Sequence, residues 1–281
     1  SGIKFVLNTN VGVDITFDEI RKKHDFVILA TGVYKARGLD IPNGDLNGKV
    51  AALDYLTASN RLSFGDRVKE FETGTFNADG KKVVVIGGGD TAMDCVRTAI
   101  RQGATSVKCL YRRDRANMPG SQREVQNAEE EGVIFEWLTS PKGLSSNLRN
   151  PDLLNLKAQE GDLKGIIVQK MRLGDPDATG RRTPEEIIGS EYLEEADLVI
   201  EALGFEPEDL PTLWDQPDLP VSRWGTIKVE YETGKTNLEN VYAVGDIVRG
   251  ASLVVWAIKD GRETANAILS EIEATKVIAA E

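Results

Sequence analysis

Hydrophobic runs separated by polar turns predict alternating strands and helices in the N-terminal part of the chain. Residues 3–7 and 25–30 are predicted strands, and the segment 17–23 between them has helical spacing. Residues 33–80 lose this pattern because Gly, Pro and Asn recur, although one helix is predicted near 51–61. The N-terminal part therefore predicts a strand–helix–strand unit followed by an irregular connection.

The sharpest pattern begins after Lys81. The run VVVIGGGD leads into the helical stretch TAMDCVRTAIRQG and then into VKCLYRR, which predicts the strand, helix and second strand of a βαβ unit. Further on, the pattern predicts a helix at 122–131, strands at 133–138, 165–173, 196–204, 226–230 and 240–244, and a last helix at 253–272. Strands that alternate with helices in this way are typical of α/β proteins with a parallel sheet.

A glycine-rich turn joins the first strand of the βαβ unit to its helix. Gly87, Gly89 and Ala92 form the pattern GxGxxA in the strand–turn–helix context that this motif requires. Gly87 permits a tight turn, Gly89 permits close approach of a pyrophosphate, and Ala92 keeps the helix near the strand. The motif predicts a dinucleotide site, although a glycine-rich turn also occurs in other α/β proteins.

The start of the helix would hold the phosphates, because its first amides are unpaired and the helix dipole is positive there. The predicted binding loop consists of Gly87, Gly88, Gly89, Asp90, Thr91 and Ala92. Asp90 is unfavourable beside an anion unless its carboxylate caps the helix and points away from the phosphates.

The end of the second strand distinguishes the two nicotinamide dinucleotides. An NAD site places an acidic residue there for the ribose 2'-hydroxyl, whereas an NADP site places arginine there for the 2'-phosphate. The chain has Arg112 and Arg113 at this position, with Arg115 close behind. These three arginines predict NADPH rather than NADH, and the alternative is a solvated basic patch.

Composition narrows the classes of function. The chain has 281 residues, enough for two domains, and its 41% hydrophobic and 28% charged residues are the balance of a folded globular protein. A formal net charge of -11 disfavours nucleic acid, and no apolar run approaches the ~20 residues of a membrane span. Without a signal-peptide pattern, the protein is expected to be cytoplasmic.

Cys95 and Cys109 are too far apart for a CxxC motif, so we expect buried thiols rather than a zinc site or thioredoxin-reductase-type disulfide chemistry.

Four segments of the chain resemble one protein family. They are LATG at 29–32, VVVIGGGDTAMDCVRTA at 83–99, LYRRDRANMPGSQREV at 110–125 and VYAVGDIVRGASLVVWAIKDGRETA at 241–265. Together they resemble the small subunits of NADPH-dependent glutamate synthase and, more broadly, flavoproteins that pass electrons from NADPH through FAD to iron–sulfur centres. The MPGSQREV and VVWAIKDGR segments are more specific than the glycine turn.

The resemblance implies a Rossmann-like NADPH domain, built on a βαβ parallel sheet and inserted into a partial FAD-binding α/β domain. Residues 1–75 and 206–281 would form the FAD-binding part, and residues 76–205 the NADPH-binding domain. The family carries an upstream region with iron–sulfur cysteines and the glycine loop for the ADP half of FAD. Because the chain opens on Ser1 and enters a strand-like run at once, we expect that region to be missing and the FAD site to be incomplete.

The resemblance also implies flavin-side residues. The carboxylate of Asp246 would hydrogen-bond the ribityl chain of FAD, and amides at the start of the last helix would lie near the pyrimidine edge of the flavin. The implied flavin-side residues are Ala30, Thr31, Gly32, Gly245, Asp246, Leu253, Val254 and Val255. Gly204, at the similar turn that ends ADLVIEALG in the NADPH-binding domain, is a further predicted cofactor-binding residue. The alternative for Asp246 is an Asp that merely caps a helix.

The implied activity is hydride transfer from NADPH to FAD, with electrons passing through iron–sulfur clusters to a large subunit that forms glutamate. Because the cofactors carry this chemistry, no catalytic side chain is expected, and His24, the sole histidine, is expected at the surface. Two alternatives stay open: a paralogous NADPH-dependent reductase subunit, such as the flavin arm of dihydropyrimidine dehydrogenase, and a non-catalytic NADP-binding module. A homodimer formed through apolar surface left by the missing region is a further hypothesis.

Overall fold

The computed structural model describes residues 2–148, 160–178 and 180–278. The chain divides into two compact units, which we name from their order in the sequence. The central unit is Ala36–Gly204, and the flanking unit comprises the described residues up to Lys35 and from Phe205 onward. The chain therefore leaves the flanking unit once and returns to it once.

The helices and strands have the following bounds. The helices are α1 (Phe17–Lys23), α2 (Ala52–Ser63), α3 (Lys69–Glu72), α4 (Asp90–Arg101), α5 (Gln122–Glu130), α6 (Leu210–Leu213), α7 (Asp246–Arg249) and α8 (Val254–Ile278). The strands are β1 (Val27–Leu29), β2 (Lys35–Ala36), β3 (Lys49–Ala51), β4 (Lys82–Ile86), β5 (Ser106–Tyr111), β6 (Ile134–Trp137), β7 (Thr139–Ser145), β8 (Gly165–Pro176), β9 (Arg182–Glu186), β10 (Tyr192–Glu195), β11 (Leu198–Glu201), β12 (Phe205–Glu206) and β13 (Val241–Ala243). Within the described residues, no helix combines the length and the apolar character that crossing a bilayer requires.

A five-stranded sheet in the order β3-β11-β4-β5-β6 forms the framework of the central unit, and all of its neighbouring strands are parallel. Both faces of this sheet are covered, which explains the continuous hydrophobic run in β4. Val83 and Val85 face a core shared with α2, α4 and α5, and Val84 and Ile86 face a core shared with β7 and β8. The predicted α/β fold with a parallel sheet is confirmed.

A second, antiparallel sheet provides the cover on the latter face. Its strands run in the order β10-β8-β7, and β9 pairs with the far part of β8. Leu144, Ile166 and Val168 turn inward from this sheet and are fully buried against the parallel one. Of the four strands in this sheet, the sequence pattern predicts only the one at 165–173. The strand β7 contains Pro141 and Gly143, and β9 is polar throughout.

The helix α4 lies on the other face of the parallel sheet, and its apolar positions explain why it packs there. Ala92, Cys95, Val96 and Ala99 recur at helical spacing and are all buried. Both cysteines are buried free thiols, as expected, and burial raises the pKa of Cys109 to about 12. A thiol with such a pKa stays protonated and unreactive at neutral pH.

The flanking unit has a smaller core around two parallel strands. Val27 to Leu29 of β1 pair with Val241 to Ala243 of β13. Phe17, at the first position of α1, stacks on Trp214 with ring centroids 5.1 Å apart. Thr16 and Glu19 form a capping box that starts α1, in agreement with the predicted helix.

Two predicted strands are corrected by the structure. Residues 3–7 are not a strand: Ile3 and Phe5 are 71% and 78% exposed, and no strand lies beside them within the described residues. Residues 226–230 form only a single bridge between Val221 and Ile227. In that segment the amides of Ile227 and Lys228 donate to Ile247 and Pro220, which belong to different segments, so no continuous ladder forms.

The first unit boundary also differs from the expected one. The family resemblance places residues 36–75 on the flavin side, but β3 forms the edge of the parallel sheet beside β11. The helix α2 follows it, and its fully buried Tyr55 donates to Gln102 Oε1 at 2.9 Å. This segment therefore belongs to the central unit, because it completes that unit's sheet and covers α4. The second boundary, at Gly204–Phe205, lies next to the expected one.

Candidate functional site

A cleft of about 710 Å³ in the central unit lies beyond the carboxyl ends of β4, β5 and β11. This is the edge of a parallel sheet at which α/β proteins bind their ligands. The cleft is lined by the glycine turn with Thr91, by Tyr111, Arg112 and Arg113, by residues 202–204, and by Arg37 and Arg181. It therefore brings together most of the residues that sequence reasoning assigned to NADPH.

The missing β-carbon of each glycine in the turn has a different environment. Gly87 has a φ of +148°, and a β-carbon there would meet the carbonyl oxygen of Ala202 at 2.2 Å. A β-carbon on Gly88 would meet the ring of Tyr111 at 2.4 Å. Gly89, the residue before α4, has nothing within 4 Å of its missing β-carbon, so a ligand has open access to the backbone there.

The carboxylate of Asp90 is held away from the space above the glycine turn. Its Oδ1 accepts a hydrogen bond from the amide of Ser121 at 3.1 Å, and Asp90 does not line the cleft. The amide of the preceding Gly120 donates to the carbonyl of Gly88 at 2.9 Å. The MPGS segment thus fastens onto the glycine turn, which leaves the first amides of α4 free for an anion.

Ala92 contributes packing rather than contact with a ligand. It is fully buried in the core between α4 and the parallel sheet and does not line the cleft, in keeping with its predicted role of holding helix and strand close. Thr91 and Gly204 do line the cleft, and Gly204 has a φ of +85° that favours glycine. The carbonyl of Gly204 also accepts from the amide of Arg37 at 3.0 Å.

The residues at the end of β5 fit a phosphate group. Arg112 and Arg113 both line the cleft, and the structure gives neither side chain an ion pair within the described residues. The Nε of Arg113 is buried and has no hydrogen-bond partner there. A buried donor without an acceptor is costly, and an anion in the cleft would satisfy it. The donor set therefore fits the 2'-phosphate of NADPH.

Arg115, the third predicted phosphate ligand, is placed elsewhere. Its two terminal nitrogens hold both carboxylate oxygens of Glu129 at 2.8 and 2.9 Å, and its Nε donates to Gln122 at 3.2 Å. It does not line the cleft. The structure therefore does not support its predicted role, because a 3-10 turn at Arg115–Asn117 directs it toward α5.

Sequence reasoning missed two basic residues of the cleft. Arg37 lies in the irregular connection before β3, and Arg181 lies in the turn between β8 and β9. Neither residue belongs to a recognisable motif. Only a correct pairing of the antiparallel strands brings Arg181 to the end of β5, and the strand pattern of β9 was too polar to predict that pairing.

Two predicted flavin-side turns lie side by side in the flanking unit. Leu29 pairs with Ala243, and the amide of Val244 donates to the carbonyl of Leu29 at 2.9 Å. The segment Ala30–Thr31–Gly32 therefore leaves β1 next to the place where Gly245–Asp246 leaves β13. Gly32 and Gly245 have φ values of +71° and +72°. Both turns thus use a backbone conformation that favours glycine.

An ion pair holds the turn at Gly245 in place. The guanidinium of Arg249 donates to both oxygens of Asp260 at 2.6 Å, and the amide of Gly245 donates to Asp260 at 3.3 Å. The Arg249 guanidinium lowers the pKa of Asp260 below its ordinary value of 3.8. Asp246 itself has no hydrogen bond or ion pair from its carboxylate within the described residues, so the carboxylate is available to a ligand hydroxyl.

The start of α8 presents the last three predicted residues. Leu253, Val254 and Val255 are all exposed, and α8 begins at Val254. The first amides of a helix have no partner within it. A β-carbon on Gly245 would lie 3.4 Å from the β-carbon of Ala257, which is an ordinary contact distance. The turn at Gly245 therefore packs against α8.

The hydroxyl of Thr31 is buried and has no partner within the described residues. An orphaned hydroxyl in one of two adjacent glycine-favouring turns fits a polar cofactor that passes close to the backbone. The residues of the flanking unit are therefore compatible with part of an FAD site.

Comparison with known proteins identifies the family. The family described as pyridine nucleotide-disulphide oxidoreductase matches residues 1–261. The chain belongs to this family. Within the pyridine nucleotide-disulphide oxidoreductases, it is 64% identical over its whole length to a protein of Cereibacter sphaeroides that is provisionally named a glutamate synthase (NADPH) small chain. It is 55% identical to the glutamate synthase (NADPH) small chain of Azospirillum brasilense, again over 100% of the chain.

The chain covers only part of these relatives, 64% of the length of the first and 56% of the second. Among solved structures it resembles Mycobacterium tuberculosis FprA in complex with NADPH, with a TM-score of 0.72, 20% identity, and coverage of 97% of this chain and 69% of that one. At that identity the likeness concerns the fold alone. The family resemblance expected from the four sequence segments is confirmed.

Proposed function

We propose that the chain is the electron-input part of an NADPH-dependent glutamate synthase, in which the central unit binds NADPH and the flanking unit contributes to binding FAD. The observation that carries this proposal is the pair Arg112 and Arg113 at the end of β5, unpaired and lining the same cleft as the open turn at Gly89. Bound nicotinamide and flavin supply the hydride chemistry. The residues of the chain supply position and charge.

In the central unit each group has a separate task. The amides at Gly89 and at the start of α4 hold the pyrophosphate, and Arg112 and Arg113 hold the 2'-phosphate. The carboxylate of Asp90 is held away from the phosphates because it accepts a hydrogen bond from the amide of Ser121. This division makes the affinity for NADPH depend on the arginines and the affinity for NADH independent of them.

In the flanking unit the proposed flavin contacts are the backbone at Ala30–Gly32, the hydroxyl of Thr31 and the carboxylate of Asp246. The amides at Leu253, Val254 and Val255 face negative charge on the cofactor, which the positive end of α8 favours. The names of the relatives from Cereibacter sphaeroides and Azospirillum brasilense support the assignment to glutamate synthase. On that basis the proposed partners are the iron–sulfur region of the same subunit and the glutamate-forming large subunit.

Calorimetric titration of the chain with NADPH and with NADH tests the nucleotide part of the proposal. Preferential binding of NADPH that is lost in Arg112→Ala, with Arg115→Ala unchanged, supports it. Equal binding of both nucleotides would contradict the role of the arginines. An absorbance spectrum after incubation with FAD tests the flavin part, and a bound flavin that NADPH bleaches faster than NADH supports reductase activity. A colourless chain that binds NADPH supports only a nucleotide-binding role.

A further inference from the structure

The cleft of the central unit contains an arginine that no sequence motif accounts for. Arg181 follows the tip of the hairpin formed by β8 and β9 and lines the same cleft as Tyr111, Arg112 and Arg113. It reaches this place from a different part of the chain, because the hairpin belongs to the antiparallel sheet and the other three residues belong to β5 and its continuation. The cleft is therefore basic on two sides.

Backbone hydrogen bonds hold Arg181 at the hairpin. Its amide donates to Oδ1 of Asp177 at 3.0 Å, and its carbonyl accepts from the amide of Asp177 at 2.9 Å. The next residue, Arg182, already belongs to β9 and pairs with Pro176. Arg182 does not line the cleft. The turn thus gives two adjacent arginines different environments.

The guanidinium of Arg181 has no ion pair within the described residues, in contrast to Arg172 on the same hairpin, which binds Glu185 at 2.9 Å. The nearby carboxylate of Asp114 accepts through Oδ1 from the amide and the side chain of Asn117, and it forms no ion pair with these arginines within the described residues. Burial raises the pKa of the Tyr111 hydroxyl, whereas the positive charges of Arg113, Arg112 and Arg181 each lower it. Three unpaired cations thus share one site in an acidic chain.

Like charges repel when they gather at one place, so such a cluster is favourable only with an anion between its members. The anion of a bound dinucleotide nearest to the end of β5 is the phosphate on the adenosine ribose, since the pyrophosphate lies over the helix start. We infer that Arg181 is a third ligand of the 2'-phosphate, supplied by the β8–β9 hairpin, and a determinant of specificity for NADPH. This inference rests on the proposed function of the central unit.

The test separates the 2'-phosphate from the rest of the nucleotide. Binding of adenosine 2',5'-bisphosphate and of adenosine 5'-monophosphate is measured by calorimetry on the whole chain and on Arg181→Ala, Arg181→Lys and the control Arg182→Ala. We expect Arg181→Ala to weaken binding of the bisphosphate about five- to tenfold and binding of the monophosphate less than twofold. Arg181→Lys is expected to recover part of the loss, and Arg182→Ala to bind as the parent chain does.

The outcomes are distinguishable. A parent chain that prefers the bisphosphate, with Arg181→Ala showing the same preference, overturns the inference and leaves the proposed function standing. A parent chain that binds both nucleotides equally overturns the proposed function and this inference with it. Equal loss of both nucleotides in Arg181→Ala also overturns the inference, and a thermal unfolding curve identical to that of the parent excludes misfolding as the cause.

Discussion

The β-carbon that Gly87 lacks would lie 2.2 Å from the carbonyl oxygen of Ala202, at a backbone φ of +148°. Neither residue can move away, because each directly follows a strand of the parallel sheet: Gly87 follows β4 and Ala202 follows β11. The amide of Ala202 also donates to the carbonyl of Ile86 at 2.8 Å. We therefore expect Gly87→Ala to lower the free energy of unfolding by about 3 kcal/mol or more. Urea unfolding followed by circular dichroism measures this, and a loss below about 1 kcal/mol would contradict the steric account.

Gly89→Ala is expected to behave in the opposite way. Its missing β-carbon has open space around it and its backbone is extended, so the protein itself accommodates alanine with a loss of about 1 kcal/mol or less. The methyl group would, however, occupy the space where the pyrophosphate approaches the backbone. Affinity for NADPH should fall at least about tenfold. Calorimetry together with urea unfolding checks both halves, and unchanged NADPH affinity would show that the phosphates do not approach Gly89.

Arg112→Ala and Arg113→Ala are expected to raise the Kd for NADPH about tenfold or more each and to leave the Kd for NADH within about twofold. The physical reason is that only NADPH carries the phosphate that these side chains bind. Arg115→Ala is the matched control, because Arg115 is paired with Glu129 outside the cleft. It should leave both affinities unchanged and cost less than about 1 kcal/mol of stability. An equal effect of Arg112→Ala on the two nucleotides would refute the assignment.

The sequence predicted the parts of the fold where local pattern and tertiary structure agree. The run before Gly87 is apolar at every position because both faces of β4 are covered, and α4 repeats its small apolar residues at helical spacing. The strand β3 has only the three residues Lys49–Ala51, too few for a periodic signal. Its place at the sheet edge follows from pairing with β11, about 150 residues away, which local pattern does not encode.

The prediction of site residues from the sequence is limited in the same way, because local pattern does not encode strand pairing. The position of Arg112 and Arg113 at the cleft is predictable because the strand that carries them follows the glycine motif and its helix in sequence, whereas Arg181 reaches the cleft through the pairing of β8 with β9. Arg115 was assigned on proximity in sequence alone, and a short 3-10 turn is enough to direct it to Glu129. Turn geometry over two or three residues decides such cases.

The stabilising effect of Thr31→Val on the chain is expected to disappear when FAD binds, because a fivefold loss of affinity corresponds to about 1 kcal/mol. The hydroxyl of Thr31 is buried without a partner in the described structure, so valine, which has the same shape, should stabilise the flavin-free chain by about 1 kcal/mol. With FAD present, the loss of the hydroxyl should weaken flavin binding about fivefold. Thermal unfolding with and without FAD measures both. The control is Thr236→Val, because the hydroxyl of Thr236 donates to Val241 at 2.8 Å and its removal should destabilise in either condition.

The ion pair of Asp260 with Arg249 gives the flanking unit a dependence on pH. The two side chains are 13% and 29% exposed, so breaking the pair by Asp260→Asn should cost about 2 kcal/mol at neutral pH. Since Arg249 lowers the pKa of Asp260 in the folded chain, the pair contributes its full stability above the ordinary value of 3.8. That contribution is lost as the pH falls through the lowered pKa, because the folded carboxylate must then be protonated.

The difference in free energy of unfolding between the parent chain and Asp260→Asn should therefore be constant from neutral pH down to about pH 5 and should shrink below about pH 4. Urea unfolding of both proteins across this range measures the difference. The control is Glu263→Gln, since Glu263 pairs with Lys259 at 3.6 Å while about half exposed, and such a pair contributes little. A difference that stays constant into acid, or one that the control reproduces, would mean that the pair with Arg249 does not fix the turn at Gly245 electrostatically.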